Sequence, residues 1–414
     1  MSFLQENRFF KHTACDGLGS SLALWLLSKI VRSGRLEVTL PKGAVVELGD
    51  GSGNICGMTL PTLKNVLLMF LRPDPSLPNA FVAGKWWVTK GELEDLIFLL
   101  LENEKQAPCK AFRGMISRIK KRFFHLRQYS PVHLSSHRVR HHYDLGNRLY
   151  RAFLDPEMFY SCAFFEKESD DLERAQKNKV CTTLERLALN DKTQTVLDIG
   201  SGWGGLTRAL ALASDAEVTG ITLSREQFEL ANLRKEEIGE EKAGKLVYEL
   251  CDYRQHREGE SAYYDRIVSV GMYEHVGMTQ YRIFFDTIFR LLKQDGRAVV
   301  HSIVRRESDT TSRWIDQNIF PGGYIPAISE MIRPAEEAGL NVEAVYSHAG
   351  ENYARTLRFW RERFRRAKTA LAEEGYDEEF CRMWEFYLGA CINSFDARQE
   401  NLRVAQVVFT KALL

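Results

Sequence analysis

The stretch "TVLDIGSGWGG", residues 195–205, decides the fold. Thr195 to Leu197 read as a buried strand with Asp198 at its end. Gly200, Ser201, Gly202 and Gly204 then form a tight turn that opens a helix. Glycines let backbone approach a ligand and adopt φ/ψ values that other residues avoid. A glycine pattern alone is a weak signal, but here the strand–turn–helix setting is the right one. Working outward, the same rhythm repeats. Strand-like runs occur at 217–222, 246–253, 264–271, 296–304, 342–350 and 403–411, separated mostly by segments of helical period. Continuous apolar strands alternating with helices predict a parallel sheet covered on both faces. The expectation is α/β: a doubly wound, seven-stranded, mostly parallel, Rossmann-like sheet. The helix-rich segment 353–401, with Phe359, Trp360, Trp384, Phe386 and Tyr387, is expected to cap it.

A dinucleotide site would place pyrophosphate on the helix N-terminus and an acid after the next strand. Here the next strand ends "GITLSREQ", which offers Thr222 and Gln227. Asp198 beside the glycine turn repels a pyrophosphate and suits a cation. S-adenosylmethionine carries an ammonium, a sulfonium and no phosphate. The third strand ends at Asp252-Tyr253, where a carboxylate can accept from an adenine amino group. The pattern favours S-adenosylmethionine over NAD.

The rest of the chain is less informative. Residues 1–105 read as a small N-terminal α+β domain without visible chemistry. Residues 106–140 read as a basic amphipathic linker, and 141–414 as the catalytic domain. Ten Lys and Arg and no acid fall between Lys105 and Tyr143, although net charge is only +1 over 414 residues. Plotted as a helix, Met115 to Arg127 sets Ile116, Ile119 and Phe123 on one face and Arg118, Lys120, Lys121 and Arg122 around them. Such a helix can lie on an anionic lipid surface. The balanced charge gives no pull toward nucleic acid. Eight cysteines with no CxxC pair suggest reduced thiols in the cytoplasm, and no metal is expected. The first residues lack the pattern of a secretory leader, and no run approaches the ~20 apolar residues of a membrane span.

Seven motifs occur in one order: "HYDLGN" (142–147), "FYSCAFF" (159–165), "VLDIGSGWGG" (196–205), "GITLSREQ" (220–227), "GMYEHVG" (271–277), "VVHSI" (299–303) and "WIDQNIFPGGYIP" (314–326). Together they resemble the cyclopropane-fatty-acyl-phospholipid synthase family, which includes the mycolic acid cyclopropane synthases. The resemblance covers roughly 135–414 and implies a class I methyltransferase fold. It implies donor contacts from Tyr160 and Ser161 at the amino-acid end, from Gly200, Ser201 and Gly202 in the turn, from Thr222 and Gln227 on the ribose, and from Asp252 and Tyr253 at adenine. Asp198 and Gly204 complete the expected donor set.

The implied reaction is methylation of a cis double bond in a phospholipid acyl chain. The sulfonium methyl adds to the alkene, and loss of a proton from the resulting carbocation closes a cyclopropane ring. In the family a bound bicarbonate is the proposed base. Its binding groups map to Cys162, Glu274, His301, Ile303 and Tyr353, with Cys162 and Ile303 acting through backbone N–H groups. Glu274 then orients the base by accepting its O–H, while His301 and Tyr353 donate. A late cysteine that readings of the family single out matches Cys391 in "GACINSF"; an apolar helical setting also fits simple packing. His275, next to Glu274, has no role to transfer and reads as structural. A methyl-branched or methylene product, or a small soluble nucleophile as acceptor, are the alternatives. The implied partner is a phospholipid bilayer, with the protein on the inner membrane face, and homodimerisation is a further family expectation.

Overall fold

A computed structural model describes residues 25, 27–60, 69, 73–106, 145–396, 398 and 402–411. The basic segment read at 106–140 therefore lies almost wholly outside the described residues, as do three of the seven-motif positions in "HYDLGN". The chain forms two compact units. One takes residues 1–120, 312–314 and 372–393; the other takes 121–311, 315–371 and 394–414.

The first unit holds a four-stranded sheet in the order β2-β1-β3-β4, from β1 (Arg35–Thr39), β2 (Val45–Gly49), β3 (Ile55–Thr59) and β4 (Trp87–Lys90). Alternation explains the strands: Leu36 and Val38 are buried while their neighbours are not. Helices α1 (Pro73–Val82) and α2 (Leu93–Gln106) complete this α+β fold. The aromatic segment expected to cap the large sheet divides instead. Phe386 packs on Phe81 and Trp86, with centroids 5.5 and 6.5 Å apart, and Arg382 Nε donates to the Val82 carbonyl at 2.7 Å. Phe386 meets these rings tilted and edge-on, at 52° and 87°, and residues 372–393 belong with the small unit.

The second unit is built on seven strands: β5 (Thr195–Ile199), β6 (Glu217–Thr222), β7 (Leu246–Leu250), β8 (Tyr264–Val270), β9 (Leu292–Arg305), β10 (Asn341–His348) and β11 (Leu402–Thr410). Their order is β10-β11-β9-β8-β5-β6-β7. All pairs are parallel except β9–β11 and β10–β11. All seven expected strands are present, and the sheet is mostly parallel as read. Helices α3 (Asn147–Phe153), α4 (Leu172–Leu187), α5 (Gly205–Ala213), α6 (Arg225–Lys235), α7 (Glu240–Gly244), α8 (Tyr273–Val276), α9 (Tyr281–Leu291), α10 (Arg313–Asn318), α11 (Ser329–Glu337) and α12 (Gly350–Glu373) occur largely in this unit, whereas α13 (Glu378–Phe395) lies almost wholly in the first. Two apolar clusters form, one with α9 and α11 (Phe284, Phe285, Ile288, Met331) and one with α5 and α6 (Leu206, Leu210, Ala231). Two clusters sharing strands of one sheet are what a sheet buried on both faces requires. Among the described residues no helix is long and apolar enough to cross a membrane.

The turn after β5 has a strict steric requirement. Gly200, Gly202 and Gly204 have φ of +83°, +56° and +83°. At Gly204 a Cβ would also lie 2.3 Å from the Tyr248 hydroxyl oxygen. Gly204→Ala is therefore expected to destabilise the second unit by about 2–4 kcal/mol, from left-handed backbone strain and overpacking together. Urea unfolding followed by tryptophan fluorescence measures this. Adding Tyr248→Phe is expected to recover part of the loss, because it removes the atom in the way.

Candidate active site

Chain growth reverses between β5 and β8. From β5 the sheet extends to β6 and β7; from β8 it extends the other way to β9. The loops at the carboxyl ends of these strands therefore part, and ligands of open α/β sheets bind in that crevice. A cavity of about 150 Å3 lies there. Its walls include Tyr160, Ser161, Asp198, Gly200, Ser201, Gly202, Thr222, Gln227, Asp252 and Tyr253. The residues singled out from four separate sequence motifs thus come together on one cavity. Gly204 is not in its wall; its close contact is Tyr248, and Gly205 lines the cavity in its place.

Local bonding fixes these walls. The Gly200 and Ser201 amides both donate to the Ile221 carbonyl at 2.9 Å, which ties the turn to the end of β6. Thr222 Oγ1 donates to Gln227 Oε1 at 2.8 Å, and Ser224 caps α6 by accepting from the Gln227 amide. The Arg254 guanidinium grips Asp252 in fork geometry, with Nε–Oδ1 2.8 Å and Nη2–Oδ2 2.6 Å. Asp252 thus lines the cavity with both of its side-chain oxygens bonded to Arg254. Beside it, Glu249, Cys251 and His256 bring side-chain ligand atoms within 4.8 Å of one another. His256 Nδ1 lies 2.9 Å from Glu249 and Nε2 2.7 Å from the Tyr264 hydroxyl, so the trio is satisfied as a hydrogen-bond network.

The deep end of the cavity is electrostatically unusual. Asp198 is buried and accepts from Thr207 Oγ1 at 2.9 Å. Burial pushes its carboxyl up to about 7, with Thr207 and Lys179 opposing. Lys179, from α4, is also buried in the cavity wall, and burial pulls its ammonium down to about 7. Its Nζ donates to Ser161 Oγ at 2.9 Å and stands 3.8 Å above the Phe159 ring. His275 lines the cavity as well; burial lowers its imidazole to about 4, so it is neutral at pH 7.

Glu274, His301, Ile303, Cys162 and Tyr353 lie outside the walls of that cavity, and of them Glu274 and Ile303 are hydrogen-bonded to each other. The β8–β9 ladder ends at Val270 and His301. Beyond it the His301 carbonyl accepts from the Gly271 amide and Arg305 bridges Ala327, and between these the Ile303 N–H donates to Glu274 Oε1 at 2.6 Å. The Ile303 amide is thus already committed to Glu274. Among the described residues the other oxygen, Oε2, is buried without a hydrogen-bond partner, and burial pushes the carboxyl up to about 7, with the Ile303 amide and Ser302 opposing. His301 is set by a relay. Arg186 donates to Gln406 Oε1, so Gln406 Nε2 faces Thr183 Oγ1 at 3.0 Å and His301 Nδ1 at 3.1 Å. Nδ1 must then accept, which leaves the proton on Nε2. Burial, then the Lys179 charge, hold His301 neutral. Burial likewise raises the Cys162 thiol, so its sulfur is inert. Tyr353 packs against Phe395 and Trp360, and Trp360 stacks on Tyr160 at 5.1 Å. Cys391 belongs to the first unit, and burial raises its thiol to about 12.

Comparison with known proteins fits this architecture. The family model for mycolic acid cyclopropane synthetase matches residues 132–407. The chain belongs to this family. It is 38% identical over 273 residues to cyclopropane-fatty-acyl-phospholipid synthase of Escherichia coli (strain K12), a match covering 66% of this chain and 67% of that one. It is 36% identical over 260 residues to tuberculostearic acid methyltransferase UfaA1 of Mycobacterium tuberculosis, covering 60% and 59%. Among solved structures, the cyclopropane synthase MmaA2 from Mycobacterium tuberculosis matches with a TM-score of 0.61 at 31% identity, covering 67% of this chain and 98% of that one. Mycolic acid cyclopropane synthase CmaA1, complexed with SAH and CTAB, matches with a TM-score of 0.61 at 30% identity, covering 68% and 99%. The protein is accordingly an S-adenosylmethionine-dependent methyltransferase of the cyclopropane synthase family.

Lys179, Arg254 and Gln406 escaped the sequence reading. Gln406 had a visible signal, an amide in the middle of the apolar run "VAQVVF". Lys179 had none, since "RAQKNKVC" reads as a solvated helix face.

The raised Glu274 carboxyl gives a pH prediction for the ligand-free protein. Between about pH 4.5 and 7 the folded state holds a proton there that the unfolded state has released, so stability falls as pH rises. Glu274→Gln removes this dependence. Relative to wild type the variant is expected to gain about 1–3 kcal/mol between pH 4.5 and 8. Urea midpoints across that range measure the difference; a constant offset between the two proteins would show that Glu274 ionises normally.

Proposed function

We propose that the enzyme methylates the cis double bond of phospholipid acyl chains and closes a cyclopropane ring, with bicarbonate held by Glu274, His301, Tyr353 and Cys162 and with Ile303 fixing Glu274. The observation that carries this reading is the Glu274 carboxylate. One oxygen is pinned by the Ile303 amide and the other is buried with no hydrogen-bond partner among the described residues. A buried acceptor left open costs free energy, of order 1–3 kcal/mol, unless a ligand donates to it. An anion that carries its own O–H meets that need, whereas a phosphate dianion or a carboxylate does not. When bound, the methyl donor supplies an electrophilic sulfonium methyl and bicarbonate supplies a base.

The chain's own residues have separable tasks on this reading. Glu274 Oε2 accepts the ligand O–H and fixes its orientation. His301, held in one tautomer by Gln406, offers Nε2–H as donor. Ile303 acts by fixing Glu274 rather than by offering a spare amide. Tyr160, Ser161, Thr222, Gln227, Asp252 and Tyr253 bind the donor, with the turn at Gly200, Ser201 and Gly202 giving it close backbone approach. Trp360, stacked on Tyr160, would shield a transient cation without reacting with it. Other large aromatics have partners of their own: Tyr273 donates to the Glu330 carbonyl within the core, Phe359 stacks on Phe165, and Trp314 packs on Phe386. Residues 106–140 would bring the site to an anionic bilayer.

Incubation with unsaturated phospholipid vesicles and labelled S-adenosylmethionine, followed by NMR of the lipids, tests the reaction. Ring methylene signals are expected; methyl-branched or exocyclic methylene signals would assign the alternative product. Glu274→Gln is expected to lower turnover by about 10²–10⁴, the range for a lost acid–base function, while donor affinity is nearly unchanged. Removing dissolved carbonate is expected to slow the wild type and leave the variant unaffected. A wild-type rate indifferent to carbonate would refute the base. Vesicle binding is expected to weaken with salt, and reversing charge at Lys120, Lys121 and Arg122 is expected to weaken it further. Sedimentation with anionic vesicles measures both.

A further inference from the structure

We propose that Lys179 recognises the α-carboxylate of the methyl donor at the deep end of the cavity, an inference that rests on the donor site proposed above. Lys179 is 2% exposed, so its ammonium has lost its water. In exchange it has one hydroxyl, Ser161 Oγ at 2.9 Å, and one ring face, that of Phe159 at 3.8 Å. Lys179, Ser161 and Phe159 all line the cavity. Asp155 and Asp198 act on the ammonium electrostatically, yet among the described residues no carboxylate oxygen comes within 4.0 Å of it. An ammonium has three donors, and buried charges in proteins are paired. This one faces a cavity with donors to spare and no counter-ion in contact.

The chemistry of the donor supplies what is absent. Its amino-acid end is a zwitterion, while its adenine and ribose have no use for a buried cation. Asp198, in the same wall, offers the opposite charge for the α-ammonium. Lys179 and Asp198 together are complementary to an amino acid at one end of the cavity. The depressed ammonium and the raised carboxyl of the ligand-free site agree with this, since each lacks its partner until the ligand arrives. A lysine serving only to pack α4 against the Ser161 segment would be replaceable by methionine, which fills similar volume without desolvating a charge.

Calorimetric titration of wild type and Lys179→Met with S-adenosylhomocysteine and with 5′-methylthioadenosine separates these roles. The second ligand lacks the amino-acid end. In the variant the dissociation constant for S-adenosylhomocysteine is expected to rise about tenfold or more, as for a lost charge-assisted hydrogen bond, while that for methylthioadenosine stays the same. Unchanged methylthioadenosine binding also shows that the variant is folded. Equal loss for both ligands would mean a structural lysine and overturn the inference. So would full retention of S-adenosylhomocysteine binding, and if turnover then no longer responded to carbonate, the lysine would serve that anion instead. A wild type that binds neither ligand overturns the donor site itself, a failure distinguishable from the other two.

Discussion

The reversal of sheet growth between β5 and β8 is the constraint on which the site depends. Parallel strands need crossover helices, and right-handed crossovers from a central strand place successive helices on opposite faces when growth reverses. The loop after β5 therefore leaves toward α5, while the loop after β8 turns the other way into α8. The glycine turn makes the gap between them usable, because Gly200 and Gly202 expose backbone where side chains would block it. Gly204 serves the neighbouring need, close packing of that turn on Tyr248.

Edges matter as much as ends. Strand β9 runs to Arg305, whereas its partner β8 stops at Val270, opposite His301. Those surplus residues have no β8 partner, and at their end Arg305 bridges Ala327, while the other edge of β9 stays paired with β11. The Ile303 amide is thereby free to pin Glu274, and the β11 register sets Gln406 opposite His301. One strand overhang and one register so define both polar groups. A one-residue slip of β11 would turn Gln406 to the other face and release His301's tautomer.

The strands, the sheet class and the glycine turn were legible in the sequence because they are local. Apolar runs of five to nine residues and a glycine turn announce themselves in any context. The residues proposed for the donor were legible because each sits within a short motif; most of these motifs close a strand, and the topology gathers strand ends together, while Tyr160 and Ser161 reach the cavity from the loop before α4. What stayed hidden depends on distant pairs. Lys179 is buried only because α4 packs over the segment around Ser161, and its own sequence is that of an exposed helix. The Ile303 amide looked free for a ligand until the β8–β9 ladder was seen to end below it. The placement of residues 372–393 depended on aromatic partners, Phe81 and Trp86, some three hundred residues earlier in the chain. Periodicity places an aromatic on a helix face but does not say which surface it meets.

Three ionisable groups at the site, Asp198, Lys179 and Glu274, are all displaced toward their neutral forms by burial. A fold selected for stability alone would not keep them, since apolar residues of similar size would avoid the desolvation. Their retention makes physical sense if ligands bring the complementary charges. Each ligand then binds the folded state only, and its free energy of binding adds to stability. The same groups that make the empty site costly make it selective: a compound with the wrong charge pattern leaves them buried and unpaired. Discrimination of that kind is stronger than what apolar contacts provide, because a missing methylene costs little and an unmet charge costs much.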